Sequence, residues 1–281
     1  MKQYYIVCDV SLCHDCNNCF IACKDEHVDN EWPPYTNAQP RHGHRWMDIL
    51  RKERGQFPRV DVAYLPVPCR HCDSAPCIKA NPGCVYRRED GIVQIDIERA
   101  KGNKALLESC PYGAIFWNGE LGIAQKCTMC AHILDGDDRE EKSPGQTLPG
   151  IPRCVHSCPT NALEFYFIEP EEMEAKIAGE GLRSYKPELG GDKANVYYRN
   201  LYRFDKLFIA GGVLKDGECF EGATVTLSQG GVVINTQITD CFGDFKFDGL
   251  EPGEYTVGAG DNAGLTVKAD ESVNLGNIFK T

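Results

Sequence analysis

No stretch of the chain approaches the ~18 consecutive apolar residues that a membrane-spanning helix needs. No basic, Ser-rich or twin-arginine leader precedes Tyr4. Positive charge is also in short supply. There are 30 Lys and Arg against 41 Asp and Glu, a balance of 30 − 41 = −11, which argues against broad binding to a polyanion such as nucleic acid. These absences lead to the expectation of a soluble, cytoplasmic protein with no direct membrane insertion and no nucleic-acid partner. Any export would have to be directed by a partner. The 281 residues suffice for one large or two medium domains with cores of their own.

Cysteine, by contrast, is abundant: sixteen residues, fourteen of them before position 160. Disulfides in a secreted protein and metal ligands inside a cell are the two uses that concentrate this residue. Neighbouring cysteines three residues apart suit convergence on one metal group better than the cross-linking of distant segments, and the expected reducing compartment points the same way.

The spacing narrows the metal. The first run is Cys13-x2-Cys16-x2-Cys19-x3-Cys23, the bacterial ferredoxin spacing. Three such cysteines wrap one loop around a [4Fe–4S] cubane, and the fourth ligates the other cluster of a pair. Lys24 follows the fourth cysteine where Pro is usual. The matching run is Cys127-x2-Cys130, a long insertion, then Cys154-x3-Cys158-Pro159. The crossover rule then assigns one cluster to Cys13, Cys16, Cys19 and Cys158, and a second to Cys23, Cys127, Cys130 and Cys154.

The middle of the chain is incomplete in an informative way. Cys69-x2-Cys72-x4-Cys77 supplies three ligands, but the fourth position holds Asn81, still followed by Pro82. The partner run ends at Cys110-Pro111, and counting back by four, seven and ten reaches Leu106, Asn103 and Ala100. Under the crossover rule the four missing ligands would all have served one cluster. The four that remain, Cys69, Cys72, Cys77 and Cys110, would serve its neighbour. The pattern reads as one whole cluster deleted and one kept, for three [4Fe–4S] clusters on twelve cysteines. Structural zinc is the competing use, but it favours two separate Cys-x2-Cys knuckles without a triple run. Cys84 is an alternative ligand in place of Cys110 or Cys77.

Of the remaining thiols, Cys8 lies in the apolar run Tyr5-Ile6-Val7-Cys8 and reads as a buried strand residue. Cys219 and Cys241 could pair, but free thiols are expected in a reducing cell. His42, His44 and Arg45 fall in a candidate hairpin and fit a surface or interface better than a metal. Arg70, His71, Lys126 and His132 neighbour cluster cysteines. There, positive charge or N–H donors would favour the reduced state, although ordinary salt bridging would also account for them.

Three zones follow: an iron–sulfur domain over residues 1–168, a helical and extended linker over 169–205, and an all-β domain over 206–281. The linker holds a charged helix candidate from Pro170 to Gly181 and an aromatic run from Tyr197 to Phe204. The last zone alternates apolar and polar residues, as at Val225 and Leu227, Phe245 and Phe247, Tyr255 and Val257. Gly230-Gly231, Gly243-Asp244 and Pro252-Gly253 punctuate it. Candidate strands are 208–214, 224–229, 232–239, 244–249, 254–259, 264–269 and 272–278. The expected fold class is α+β: a ferredoxin-like double [4Fe–4S] domain, then a small antiparallel sandwich or barrel of about seven strands. The last domain shows no catalytic constellation and reads as a docking or stabilising module.

The four-run layout, with Cys-Arg-His-Cys-Asp-Ser-Ala-Pro-Cys at 69–77, Tyr-Arg-Arg-Glu-Asp-Gly-Ile-Val at 86–93, Cys-Pro-Tyr-Gly-Ala at 110–114 and Lys-Cys-Thr-Met-Cys at 126–130, resembles the iron–sulfur subunits of the dimethyl-sulfoxide-reductase family over roughly residues 3–168. Such subunits usually hold four clusters beside a large catalytic subunit with a molybdopterin guanine dinucleotide cofactor. The resemblance therefore implies that cofactor in a partner only, a heterodimer or higher assembly, and no catalytic residue in this chain. The deleted cluster and the β domain depart from the common pattern. Both departures, with the segments 196–204 and 217–223, resemble the family's transhydroxylase branch, whose members move hydroxyl groups between polyhydroxybenzenes. Resorcinol hydroxylases and catechol dehydroxylases are neighbouring branches. An electron-transfer subunit of a related molybdenum reductase is the first alternative function, and a free-standing ferredoxin the second.

Overall fold

A computed structural model describes residues 1–136, 150–191, 193–260 and 264–280, with side chains to residue 277. Residues 137–149, within the insertion between Cys130 and Cys154, lie outside the described residues. The layout is α+β, with many short strands and few helices. The chain divides into two units: Met1–Leu50 with Tyr64–Leu201, and Arg51–Ala63 with Tyr202–Thr281.

The first unit is organised by a three-stranded sheet. Gln3–Asp9 lies in the centre, antiparallel to Leu163–Ile168 and parallel to Val196–Arg199. Its Tyr-Tyr-Ile-Val sequence is rich in the aromatic and β-branched types that suit a pleated surface. Ile6, Val7 and Cys8 are almost wholly enclosed, so both faces of this strand are covered and its sequence reads as a continuous apolar run rather than an alternation. The aromatic run at 197–204 is split between the strand Val196–Arg199 and a short helix, Tyr202–Asp205.

The helix Pro170–Glu180 forms where the sequence predicts one. Pro occupies its first turn, where the missing N–H has no intrahelical partner to lose. Glu171 and Glu172 lie at the positive end of the helix dipole. Gly181, at φ 62°, closes the other end in the left-handed conformation that glycine adopts without steric cost. Met173 faces inward and packs with Tyr5, Val7, Leu182 and Tyr197.

Shorter elements carry or flank the cysteines. They include the helices Asn18–His27, Pro76–Ala80, Ala131–Leu134 and Arg153–His156, and the antiparallel hairpins Val85–Arg87 with Val93–Ile95 and Phe116–Asn118 with Ile123–Gln125.

The second unit contains two four-stranded sheets. One is built on Leu207–Lys215, which pairs antiparallel with Glu218–Cys219 and Asp244–Leu250 and parallel with Val273–Lys280. The other runs Val232–Ile238, Thr224–Gln229, Gly253–Ala259, Leu265–Ala269, all antiparallel. Val225, Leu227, Phe245, Phe247, Tyr255 and Val257 share one core drawn from both sheets. This is the burial that period-two alternation produces when one face of each sheet is covered. The structure adds an eighth strand, the two-residue Glu218–Cys219. It is created by the Asp216-Gly217 turn, whose φ angles of 53° and 91° suit a tight hairpin.

Arg51–Ala63 belongs to this second unit through Arg54. The side chain of Arg54 is 2% exposed and bonds to Asp61 at 2.7 Å and Asp248 at 2.8 Å. It also donates to the Lys206 carbonyl at 3.1 Å. Lys246 bonds the same two carboxylates and Arg203 lies 3.6 Å from Asp61, which makes a compact network of three cations and two anions.

Candidate metal centres

Three Cys-x2-Cys loops share a backbone feature. The residue just before the second cysteine is left-handed in each: Asp15 at φ 56°, His71 at φ 49° and Met129 at φ 55°. That conformation curls the loop so that main-chain N–H groups turn back toward sulfur. Met129 N–H donates to Cys127 Sγ at 3.4 Å, and Asp15 N–H bonds the Cys13 thiol in the same manner. Ala114 N–H reaches Cys110 Sγ at 3.4 Å.

The thiols gather in three groups. Cys13 lies within electrostatic reach of Cys158 and Cys16, and Cys19 within reach of Cys13, Cys158 and Cys16. Cys23, one turn beyond Cys19 on the Asn18–His27 helix, faces Cys127 and Cys130. Cys154, on the short helix that packs against it, faces Cys130, Cys127 and Cys23. Cys72 and Cys77 each face Cys69 and Cys110. Cys69, Cys72, Cys77 and Cys110 together line one small cavity. Neighbouring groups touch. Cys19 and Cys23 share a helix, and the Cys69 N–H bonds the Cys127 thiol.

Burial dominates the chemistry of these sulfurs. It holds the Cys19, Cys72 and Cys130 thiols at about 12, and those of Cys77 and Cys127 at about 11. Cys23 and Cys154 are pushed well above the usual thiol range, first by burial and then by neighbouring cysteines. Four thiolates packed this closely would repel one another, so their ionised form needs a cationic group among them. All sixteen cysteines are free of disulfides, Cys219 and Cys241 included. The donor set is thus all-thiol, buried or half-buried except for the exposed Cys16, and without a competing cross-link, which fits iron–sulfur ligation.

The other cysteines stand apart in different ways. Cys8 is fully buried in the central strand, behind Cys19, Cys13 and Cys158. Cys84 directs its sulfur to the Arg99 carbonyl at 3.3 Å. Cys219 and Cys241 are exposed in the second unit.

Where a further set of ligands would be expected, the structure holds ordinary core. Asn103 Nδ2 donates to Asn81 Oδ1 at 3.0 Å. Ala100 and Leu106 are 1% and 0% exposed, and they pack in the same apolar cluster as Cys72 and Cys77.

Cationic and N–H groups surround the thiols. Lys126 is buried and extends its ammonium to the Val93 and Cys127 carbonyls. Arg70 is buried between Cys69 and Cys72. It bonds Tyr112 Oη, Ser184 Oγ and the Gly191 carbonyl, and its guanidinium lies 4.7 Å from the Tyr112 ring centre. Arg87 clamps the His71 and Cys72 carbonyls at 2.8 and 3.0 Å.

Two features lie beyond what the sequence predicts. His44, expected at a surface or interface, is buried. Its Nε2 contacts the Trp117 carbonyl at 3.0 Å, its ring packs on Phe116, and burial lowers its pKa. Glu26 belongs to no ligand motif, yet its carboxylate bonds His132 Nε2 at 2.8 Å and Arg153 Nε at 2.6 Å, tying together three helices that carry or flank cysteines. The signal that could have found it is a glutamate one turn after Cys23 on a cysteine-bearing helix.

A family model described as a 4Fe-4S dicluster domain matches residues 60–167. The chain is 52% identical to the pyrogallol hydroxytransferase small subunit of Pelobacter acidigallici, over 99% of both chains. It is 30% identical to a sulfite dehydrogenase subunit of Allochromatium vinosum, over 70% of this chain and 83% of that one. It is 33% identical to the thiosulfate reductase electron transfer subunit PhsB of Salmonella typhi, over 62% of this chain and 80% of that one. The cysteine layout, the dicluster match and the end-to-end relative converge, and the chain belongs to the iron–sulfur subunits of the dimethyl-sulfoxide-reductase family.

Proposed function

We propose that this chain is the electron-carrying subunit of a molybdenum transhydroxylase that moves hydroxyl groups between polyhydroxybenzenes. Its ferredoxin-like double unit holds three [4Fe–4S] clusters: Cys13, Cys16, Cys19 and Cys158 hold the first, Cys23, Cys127, Cys130 and Cys154 the second, and Cys69, Cys72, Cys77 and Cys110 the third. The partner is a large catalytic subunit with molybdopterin guanine dinucleotide, and the assembly works in the cytoplasm. The observation that carries this reading is the approach of thiols from distant runs: Cys158 to Cys13 and Cys19, Cys154 to Cys23, Cys127 and Cys130, and Cys110 to Cys69, Cys72 and Cys77. The Pelobacter acidigallici relative supplies the substrate class.

Bound clusters supply one-electron oxidation and reduction. The protein's own part is to hold and tune. The left-handed loops aim N–H groups at sulfur, burial excludes water, and Lys126 and Arg70 place positive charge nearby. Among the described residues, no three Cys, His, Asp or Glu side chains converge tightly enough for a single ion. The triple run Cys13-x2-Cys16-x2-Cys19 favours a multi-iron group over zinc, which uses separate Cys-x2-Cys knuckles. Hydroxyl transfer between two such rings involves no net electron change, so in this reading the three centres poise the partner's metal.

Anaerobic co-purification with metal analysis tests the proposal. About twelve irons are expected in this chain, four per cluster, with molybdenum only in a larger partner and turnover that needs no external donor. About sixteen irons, or stoichiometric zinc, would overturn the ligand assignment. The similarity to a thiosulfate reductase subunit supports a second reading, an electron-transfer subunit of a reductase or dehydroxylase. Steady consumption of electrons at the rate of turnover would select it.

A further inference from the structure

The cavity enclosed by Cys69, Cys72, Cys77 and Cys110 is also lined by His71, whose side chain is wholly buried. Its Nδ1 accepts the Val93 N–H at 3.0 Å. A neutral imidazole carries one N–H, so the proton is on Nε2. An imidazole whose Nδ1 accepts a hydrogen bond cannot carry a proton on both nitrogens. The Nε2–H is buried and has no hydrogen-bond partner among the described residues. A buried donor without an acceptor is costly, and folded proteins rarely leave one. Nor is the ring free to turn elsewhere. The backbone at His71 is left-handed, its carbonyl is held by Arg87 at 2.8 Å, and its other nitrogen is committed to Val93.

We infer that His71 Nε2–H is a hydrogen-bond donor to the cluster proposed on Cys69, Cys72, Cys77 and Cys110, positioned by Val93 and raising that cluster's potential. The inference rests on the cluster assignment above. An N–H donated to a sulfur stabilises the more negative, reduced state, so it shifts the potential upward. His71 acts here as a tuning residue and not as an iron ligand.

Two substitutions separate the donor from the scaffold. In His71→Asn the amide oxygen stands near the place of Nδ1 and can keep the Val93 bond, and asparagine tolerates the left-handed backbone. The Nε2 donor is lost. In His71→Gln the amide nitrogen stands near the place of Nε2 and restores a donor. The anaerobically purified holoprotein is titrated electrochemically and followed by electron paramagnetic resonance, with histidine labelled by 15N for pulsed measurements. One of three potentials is expected to fall in His71→Asn and to recover, at least in part, in His71→Gln. The unmodified protein is expected to show a weak histidine-nitrogen coupling on that reduced cluster, absent in His71→Asn. Full iron content with an unshifted potential and no coupling would overturn this inference alone. So would a strong coupling, which would make His71 a ligand. An unmodified protein without iron at the third group would overturn the cluster assignment itself.

Discussion

Replacing Glu26 by alanine should loosen one cluster and spare the other two. The carboxylate is largely buried and accepts two short bonds, from His132 Nε2 at 2.8 Å and from Arg153 Nε at 2.6 Å. It thereby ties Asn18–His27, which carries Cys23, to Ala131–Leu134, which is preceded by Cys130, and to Arg153–His156, which carries Cys154. Three of the four proposed ligands of the second cluster depend on those helices. A hydrogen bond to a charged group contributes about 1.5–3 kcal/mol, and a buried nitrogen left without its partner costs about 1–3 kcal/mol. His132 is 1% exposed and bears the second cost in full. Arg153 is 23% exposed and recovers part of its loss from water, so the lower end of the first range applies. The sum is about 3 kcal/mol, or roughly a 100-fold rise in local opening. The assay is anaerobic iron release to a chelator at neutral pH. About four irons should leave roughly 100-fold faster than in the parent, with about eight unchanged. Glu26→Gln, which keeps acceptor and donor atoms but no charge, should fall between. Uniform release of all the iron, or no acceleration of any phase, would refute the assignment of Glu26 to the second group.

Arg54→Ala should destabilise the second unit by about 3–5 kcal/mol, the usual loss when one member of a buried ion pair is removed, read as a lower urea midpoint for the β domain. The same network sets an acid limit. Burial works to raise the carboxyls of Asp61 and Asp248, but bonds from Lys246 and Arg54 prevail and lower both below 3.8. A lowered folded pKa contributes stability above the unfolded value and loses it as pH falls through the folded one. The urea midpoint should therefore drop below about pH 4, and a level profile down to pH 2 would contradict the network. Thiol labelling provides a separate test of the ligand set. Cys219, Cys241 and Cys16 are all exposed, yet only the first two should react promptly with the iron-loaded protein. Cys16 should join them after iron is stripped, and prompt labelling of Cys16 beforehand would remove it from the ligands.

How much of this could be read from the sequence depends on how local each interaction is. Ligand runs are local by necessity, since three sulfurs must wrap one loop, so their spacing is visible in the chain. The helix from Pro170 announces itself through its proline, its acidic first turn and Gly181. The inward residues of the β unit, such as Val225, Leu227, Phe245 and Phe247, follow period two because each sheet buries one face. The strand Glu218–Cys219 is too short for any alternation, although Asp216-Gly217 is a hairpin signal that points to it. Non-local polar contacts are another matter. Arg54 sits in Arg51-Lys52-Glu53-Arg54, a run with the look of a solvated face, and its burial depends on Asp248, far along the chain. His44 and Glu26 are concealed for the same reason, because their partners Trp117, His132 and Arg153 come from other segments.

The filled place beside the third group bears on function. A ligand set that had lost its metal but kept its shape would leave a void or orphaned polar groups, both costly in a core. Here the Asn81 and Asn103 amides bond each other instead, and Ala100 and Leu106 join the packing around Cys72 and Cys77. These four side chains have the chemistry of ordinary core and offer no sulfur to iron. The remaining groups adjoin in succession. The first and second are joined through the Asn18–His27 helix, and the second and third through the Cys69 N–H on the Cys127 thiol. On the proposed assignment the succession stops at Cys69, Cys72, Cys77 and Cys110, against packed side chains. A relay to a distant acceptor needs a continuation beyond both ends, and Ala100, Asn103, Leu106 and Asn81 supply none past this one. A carrier closed at one end by its own core is suited to holding electrons for the subunit it serves, as a redox-neutral hydroxyl transfer would require.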